Sequence, residues 1–544
     1  MTTGALGSAQ GRRHLRAPRT SGAIVIEPPL EQALALWDAN LALRQRYDYD
    51  VQGRRLVDLA ASARAELLRE AQRYTRTYRD VRREGSPQRI LLAGHQPQLF
   101  HPGVWLKNFA LSALAARADG VAVNLVIDND TVKRAAARVP GGTVADPTME
   151  DVPYDEPSAV IPYEERPVMD RDCLASFGRR AAARIEPLVA RPLVHKLWPL
   201  VIGRAEAGES LAGCLSQSRH RLEDEWGLST LELPQGRVCQ FEAFYWFACH
   251  VLAHLGRFRE YYNAAVAAYR RENRIRSANH PVPDLTADGE WLEAPFWIWH
   301  RNSPRRRRLF AKLSGDSTVL SDRAGLEIRL PLTAERDGGA AVAVLAELAG
   351  RGIKIRTRAL STTLFARLFL ADVFLHGIGG AKYDELTNEL VRRFFELEPP
   401  GFLVVAGTLH LNIPRQSVTD EQLRQVDQRL RDLAFHPERF IEPERISPPS
   451  ARGGVQALMA TKQRWIATTP TRANAKLRCQ GIQHANAALA PWLADERHEL
   501  ESSRTRLATA LRAEAVLAWR EYAFCLHAEE SLRNFLLEFS RPKP

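Results

Sequence analysis

Two histidines, a glutamine and two glycines share the segment Gly94-His95-Gln96-Pro97-Gln98-Leu99-Phe100-His101-Pro102-Gly103. Histidine titrates near neutral pH, so His95 and His101 are candidates for acid–base work or for donating to a phosphate. Gly94 and Gly103 let backbone approach a ligand closely. Pro102 suits the first turn of a helix, where free N–H groups and the helix dipole favour an anion. Gln96 adds a neutral hydrogen-bonding group. Lys107 lies one turn into the helix, toward the same pocket or toward solvent. A tight turn with one capping histidine is the plain alternative. So many functional groups in one strand-to-helix turn favour a site.

Three further sets carry chemistry. Asp128-Asn129-Asp130 could bind a metal, an amine or ribose hydroxyls, or serve only as a turn or cap. Arg356-Thr357-Arg358 runs into Ser361, Thr362 and Thr363, a cradle for phosphate or carboxylate, unless Ser361 or Thr362 is simply an N-cap. His376-Gly377-Ile378-Gly379-Gly380-Ala381-Lys382-Tyr383-Asp384 is a glycine loop before a helix, again suited to an anion. It matches neither the P-loop nor the GxGxxG pattern. Tyr383 and Asp384 open the helix and could face a small substrate. His410 could join His95 and His101 at a metal, but there is no HExxH and no tight ligand pair, so no metal site is expected. No GxSxG elbow or cysteine motif is present.

The elements that must position these residues follow from the pattern of apolar residues. Ile90–Ala93 and Val121–Ile127 read as strands flanking a helix that starts near Gly103. In open α/β sheets ligands bind where such strands end. Residues 1–22 read as a disordered tail, 23–85 as N-terminal helices and 86–170 as the first half of the core. Residues 171–280 read as a helical insertion and 281–340 as a small β-rich one. The second half of the core is expected over 341–415, with strands at Ile353–Leu360 and Phe402–Ala406 and a helix at Leu364–Leu375. Residues 416–544 read as helical. Leu493, Leu500 and Leu507, then Ala510, Leu517 and Phe524, form a weak heptad seam or a bundle face. The fold class expected is α/β, one doubly wound core split by insertions.

Composition sets the frame. The 544 residues are 45% apolar, as in a globular protein, and no stretch is long and apolar enough to span a bilayer. The first 22 residues lack the apolar core of a secretory signal, although a basic, acid-poor tail is also what an organellar transit peptide would show. Cys173, Cys214, Cys239, Cys249, Cys479 and Cys525 form no CxxC pair, which fits a reducing cytoplasm. The net charge of +11 is spread along the chain, so nucleic acid is not the expected partner. The run Arg305–Arg308 reads as a solvated loop.

The layout and short words of this chain resemble the bacillithiol-synthesis cysteine-adding enzymes. In that family a strand ends Gly-Gln-Gln-x-Gly-Leu-x-Thr-Gly-Pro and opens a helix containing a lysine. Gly94-His95-Gln96-Pro97, Phe100-His101-Pro102-Gly103 and Lys107 are similar to it. Asp128-Asn129-Asp130 stands where the family has Glu-Asp-His-Asp. Ala359-Leu360-Ser361-Thr362 and Ile378-Gly379-Gly380 follow the order of its Ala-Leu-Ser-Pro element and Gly-Gly loop. The resemblance implies a Rossmann-like core with two inserts and a C-terminal coiled coil that forms a homodimer. It implies a ligase that joins cysteine, or another amino acid, to the amine of a sugar-like acceptor, with ATP or another adenine nucleotide involved. His95 and His101 would then bind the activating group or act as acid and base, and Asp128 and Asp130 would hold the amine. Arg356, Arg358, Ser361 and the Gly379-Gly380 loop would hold anionic parts. His101-Pro102-Gly103-Val104 also resembles the HxGH signature of nucleotidyltransferases, and His95-Gln96-Pro97 the start of WbqC-like proteins. A non-catalytic binding or scaffold protein on the same fold is the other reading.

Overall fold

The computed structural model describes residues 16–81, 86–132, 134–415 and 418–540. The chain divides into two compact units, residues 1–139, 150–412 and 520–544 in one, 140–149 and 413–519 in the other.

The first unit is built on two sheets. In chain order their strands are β1 (Ile24–Glu27), β2 (Ser86–His95), β3 (Gly120–Val126), β4 (Leu231–Pro234), β5 (Trp291–His300), β6 (Ser303–Ser314), β7 (Ser317–Ser321), β8 (Glu327–Leu330), β9 (Ile353–Thr357), β10 (Val373–His376) and β11 (Phe402–Gly407). The central sheet has the order β1-β11-β10-β2-β3-β4. β1 is antiparallel to β11, and all other pairs are parallel. Ile90–Ala93 of β2 are fully buried, the continuous apolar run that a parallel strand covered on both faces requires. The second sheet, β8-β7-β6-β5-β9, is antiparallel throughout.

The helices used below are α1 (Leu30–Gln45), α2 (Leu56–Thr75), α3 (Pro102–Arg117), α4 (Leu211–Glu225), α5 (Ala359–Phe365) and α6 (Ile378–Arg393). Pro102 is the first residue of α3, and the His101 ring caps it by accepting the Gly103 N–H at 3.1 Å. α3 buries Trp105, Leu106, Phe109 and Leu111 and passes close to β11. A Cβ on Gly103 would lie 2.1 Å from the Gly407 carbonyl oxygen. The core joins Leu92, Val123, Leu125 and Leu233 of the sheet to Phe244, Phe247, Phe365 and Phe369.

Several expectations are corrected. β1 and β4 lie in segments that read as helical. Ile353–Leu360 is a strand only to Thr357, and it pairs antiparallel with β5, from Phe296↔Thr357 to His300↔Ile353. It therefore belongs to the second sheet, which crosses the boundary expected at residue 340. The helix expected over Leu364–Leu375 is α5, followed by a π turn at Ala366–Leu370 and then by β10. A four-residue apolar strand cannot be told from buried helix by periodicity. Arg305–Arg308 lies in β6, not in a loop. Its Arg306 pairs with Asp130, Arg307 with Asp322 and Arg308 with Glu293. Of the tail expected over 1–22, residues 1–15 lie outside the described residues. Residues 16–22 are tied to the core, where the Gly22 N–H donates to the Thr408 carbonyl at 2.7 Å.

Among the described residues the second unit carries four α-helices, Asp420–Phe435, Arg452–Ala467, Ala475–Leu489 and Ala494–Leu517. Its small core holds Leu433, Val455, Leu489 and Leu493, with Leu500 packed against it. The first two leucines of the heptad seam thus face a core made by their own chain. Phe524 belongs to the first unit, its ring 4.3 Å from Trp105, so the C-terminal region is not one continuous helical domain. Among the described residues no helix is long and apolar enough to cross a membrane.

Candidate functional site

The carboxyl ends of β2, β10 and β11 open into a cavity of about 550 Å³. β2 and β10 are adjacent in the sheet, yet the chain leaves β2 toward β3 and β4 and returns much later to build β10 and β11 on the other side. Such a reversal of strand order leaves a crevice where the two connections part. Gly94, His95 and Gln96 enter the cavity from the end of β2, and His101, Gly103 and Lys107 from α3. Thr362 and Thr363 enter from α5, and His376, Gly379, Gly380 and Tyr383 from β10 and α6. Residues separated by some 280 positions therefore share one wall.

The charged lining is cationic. Among the described residues Lys107 and Arg520 line the cavity, and no aspartate or glutamate does. The Lys107 ammonium donates to the Gly94 carbonyl at 3.0 Å, and burial, then the nearby Arg219 charge, lowers it to about 8. Burial, helped by the Lys107 charge, lowers His95 to about 3, and burial, with Arg520 and Lys107, lowers His101 to about 4. Both rings are therefore neutral at pH 7. Their hydrogen bonds assign the tautomers. His95 Nδ1–H donates to the Gln96 carbonyl at 3.0 Å, which leaves Nε2 as an acceptor. His101 Nδ1 accepts from Gly103, which leaves Nε2–H as a donor.

His376 is held differently. Its Nε2–H donates to Asp384 at 2.9 Å, and Arg367 donates to the same carboxylate oxygen at 2.7 Å. Against the upward pull of burial, Arg367 and then His376 hold the Asp384 carboxyl well below the usual range. Nδ1 of His376 is left with a lone pair, and it faces the first turn of α6, where a Cβ on Gly380 would lie 2.8 Å from it. α6 has no side-chain cap at Gly377, so its first N–H groups are open to an anion. The arrangement combines a carboxylate-oriented base, a neutral donor and an anion seat.

The remaining expected residues are placed elsewhere or already engaged. Asp128 is buried beside a second cavity of about 270 Å³ at the ends of β3 and β4, with Glu164 and Glu209. One of its oxygens accepts the Gly236 N–H at 2.7 Å, and burial, then Glu164, raises it to about 7. Asp130 accepts from Gln96 at 3.2 Å and from Arg306 at 2.9 Å, so it positions Gln96. Arg356 forms an ion pair with Glu164 at 2.6 Å and Arg358 with Glu293 at 2.5 Å, which leaves neither guanidinium as an open phosphate seat. Ser361 accepts the Arg358 N–H and donates to the Pro295 carbonyl, the work of a helix cap. The Thr362 hydroxyl donates to Thr357 at 2.7 Å. Gly379 and Gly380 lie inside the first turn of α6 and not in a loop before it, and Asp384 serves His376 and is itself buried. His410 does not line the cavity. Arg520 was missed by sequence reasoning, because it arrives from the far end of the chain with no motif around it.

No family model matches this sequence, and no curated protein matches it significantly.

Proposed function

We propose that this chain is an enzyme that binds an anionic small molecule, carrying phosphate or carboxylate, at the carboxyl edge of a Rossmann-like core. The chemistry in best accord with the resemblance is carbon–nitrogen bond formation of the cysteine-adding kind, with an adenine nucleotide or a sugar-like acid as ligand. One observation carries the reading: a 550 Å³ cavity at a reversal of strand order whose charged lining, among the described residues, is Lys107 and Arg520. In this reading Lys107, Arg520 and the N–H groups opening α6 hold the anion. As an amine attacks an activated carboxyl the C–N bond forms, the bond from that carbon to the activating phosphate oxygen breaks, the phosphate leaves as an anion held by the cationic lining, and the amine proton passes to Nδ1 of His376. His101 Nε2–H donates to the oxygen that gains charge.

The test is a ligand-dependent melting experiment on the full chain with ATP, ADP, inorganic phosphate, cysteine and glucosamine. A bound anion at about a hundred times its Kd stabilises by about 2.7 kcal/mol. The anionic ligands should raise Tm and glucosamine should not. The rise should shrink with added salt, shrink as pH passes about 8 where Lys107 loses its proton, and vanish in Lys107→Met or Arg520→Ser. No shift with any anion, or a shift indifferent to both substitutions, refutes the proposal.

A further inference from the structure

Away from this cavity, His220 and Glu223 on α4 and Glu232 on β4 meet in the core, each at most 1% exposed. The two carboxylates are bonded on one oxygen only. Glu223 Oε1 accepts from the Trp105 indole at 2.5 Å, from Asn108 at 2.8 Å and from Arg219. Glu232 Oε1 accepts from Asn124 at 2.6 Å and from Arg219. Oε2 of each has no hydrogen-bond partner. His220 Nε2–H donates to the Thr230 carbonyl at 3.1 Å, which fixes the lone pair on Nδ1, 3.8 Å from Glu232 Oε2. One donor atom from each of the three residues lies within 4.8 Å of the others.

Buried carboxylate oxygens are seldom left bare, because each has lost its hydration. Here two are bare, Glu232 Oε2 lies 3.8 Å from the His220 Nδ1 that accepts from the Tyr78 hydroxyl, and Arg219 is hydrogen-bonded to both carboxylates. We propose that this cluster is a structural binding site for a divalent first-row metal ion, Zn²⁺ or Mn²⁺, ligated by His220 Nδ1, Glu223 Oε2 and Glu232 Oε2. Imidazole with carboxylate is a donor set for these ions. The surrounding groups are those of an outer shell: Thr230 sets the histidine tautomer, and Trp105, Asn108 and Asn124 orient the carboxylates. Metal–ligand bonds of about 2.1 Å require donors roughly 3.5 Å apart, a contraction of about an ångström. The Tyr78 hydroxyl, 2.7 Å from Nδ1, gives up that lone pair to the ion. The ion would clamp α4 to β4, and none of its ligands lines the 550 Å³ cavity.

The experiment is elemental analysis of the full chain purified without chelator, followed by dialysis against a chelator and melting with and without added Zn²⁺ or Mn²⁺. Stoichiometric metal is expected, with a Tm that falls on chelation and recovers with one of the two ions. His220→Asn should lose the metal while His101→Asn retains it. If His220→Asn does not fold, the wild-type measurements still decide. Metal-free protein whose Tm responds to neither chelator nor ion overturns the proposal, as does metal retained by His220→Asn.

Discussion

At the scale of single residues, proton positions in the cavity are set by hydrogen-bond partners and not by sequence neighbours. His95 and His101 sit in one loop, yet one ends as an acceptor and the other as a donor, because one ring faces a carbonyl and the other an N–H. Asp384 has two tasks, orienting His376 and neutralising Arg367. Substitution separates them. Asp384→Asn leaves the Arg367 guanidinium buried without its charge partner, which should cost about 3–5 kcal/mol. His376→Ala keeps the Arg367–Asp384 pair and should cost only about 1–2 kcal/mol. With His376 as the base proposed above, it should nevertheless lower turnover by about a hundredfold on a substrate found through the melting screen. Urea denaturation of both variants measures the difference in stability. Equal destabilisation would argue against the shared-carboxylate arrangement.

At the scale of elements, the site depends on a close approach that glycine allows. A Cβ at Gly103 would overlap the Gly407 carbonyl, backbone against backbone between two buried elements. Gly103→Ala should therefore cost about 3 kcal/mol or more. Gly379→Ala, with no atom within 4 Å of the new Cβ, should stabilise α6 by about 0.5–1 kcal/mol. Chemical denaturation reads both, and a neutral Gly103→Ala would mean that α3 and β11 can slide apart. The β2–α3–β3 unit was legible in the sequence because its apolar runs are long and its turn residues distinctive. β10 was not, since Val373–His376 is four residues buried throughout. Nor was the allegiance of β9. The alternation in Ile353–Thr357 marks a strand but not the sheet it joins, and pairing with β5 turns Arg356 and Arg358 toward Glu164 and Glu293. The phosphate cradle expected there failed because ion-pair partners distant in sequence carry no local signal.

At the scale of the whole molecule, burial has pushed many titratable groups in one direction. His95 is lowered to about 3, His101 to about 4, and His250 and His527 to about 3, in each case first by burial. In the unfolded chain these rings titrate near 6.5. Between about pH 4 and 6.5 the unfolded state therefore binds more protons than the native state, and stability rises with pH across that window. Asp128 works the other way. Raised to about 7 from 3.8, it gives the native state an extra proton over much of the same range. Burial lowers His220 and His254 too and raises Glu66 and Glu232 as it does Asp128, so the lowered histidines outnumber the raised carboxylates and the acid side is destabilised. Unfolding free energy should fall by at least about 2 kcal/mol between about pH 6.5 and 4.5. The measurement is a set of urea titrations at fixed ionic strength with the m-value held as a control. His527→Phe removes one of these titrations and should make the slope shallower. A flat profile, or one that rises toward acid, would mean that these rings take up protons in the native state at least as readily as in the unfolded chain.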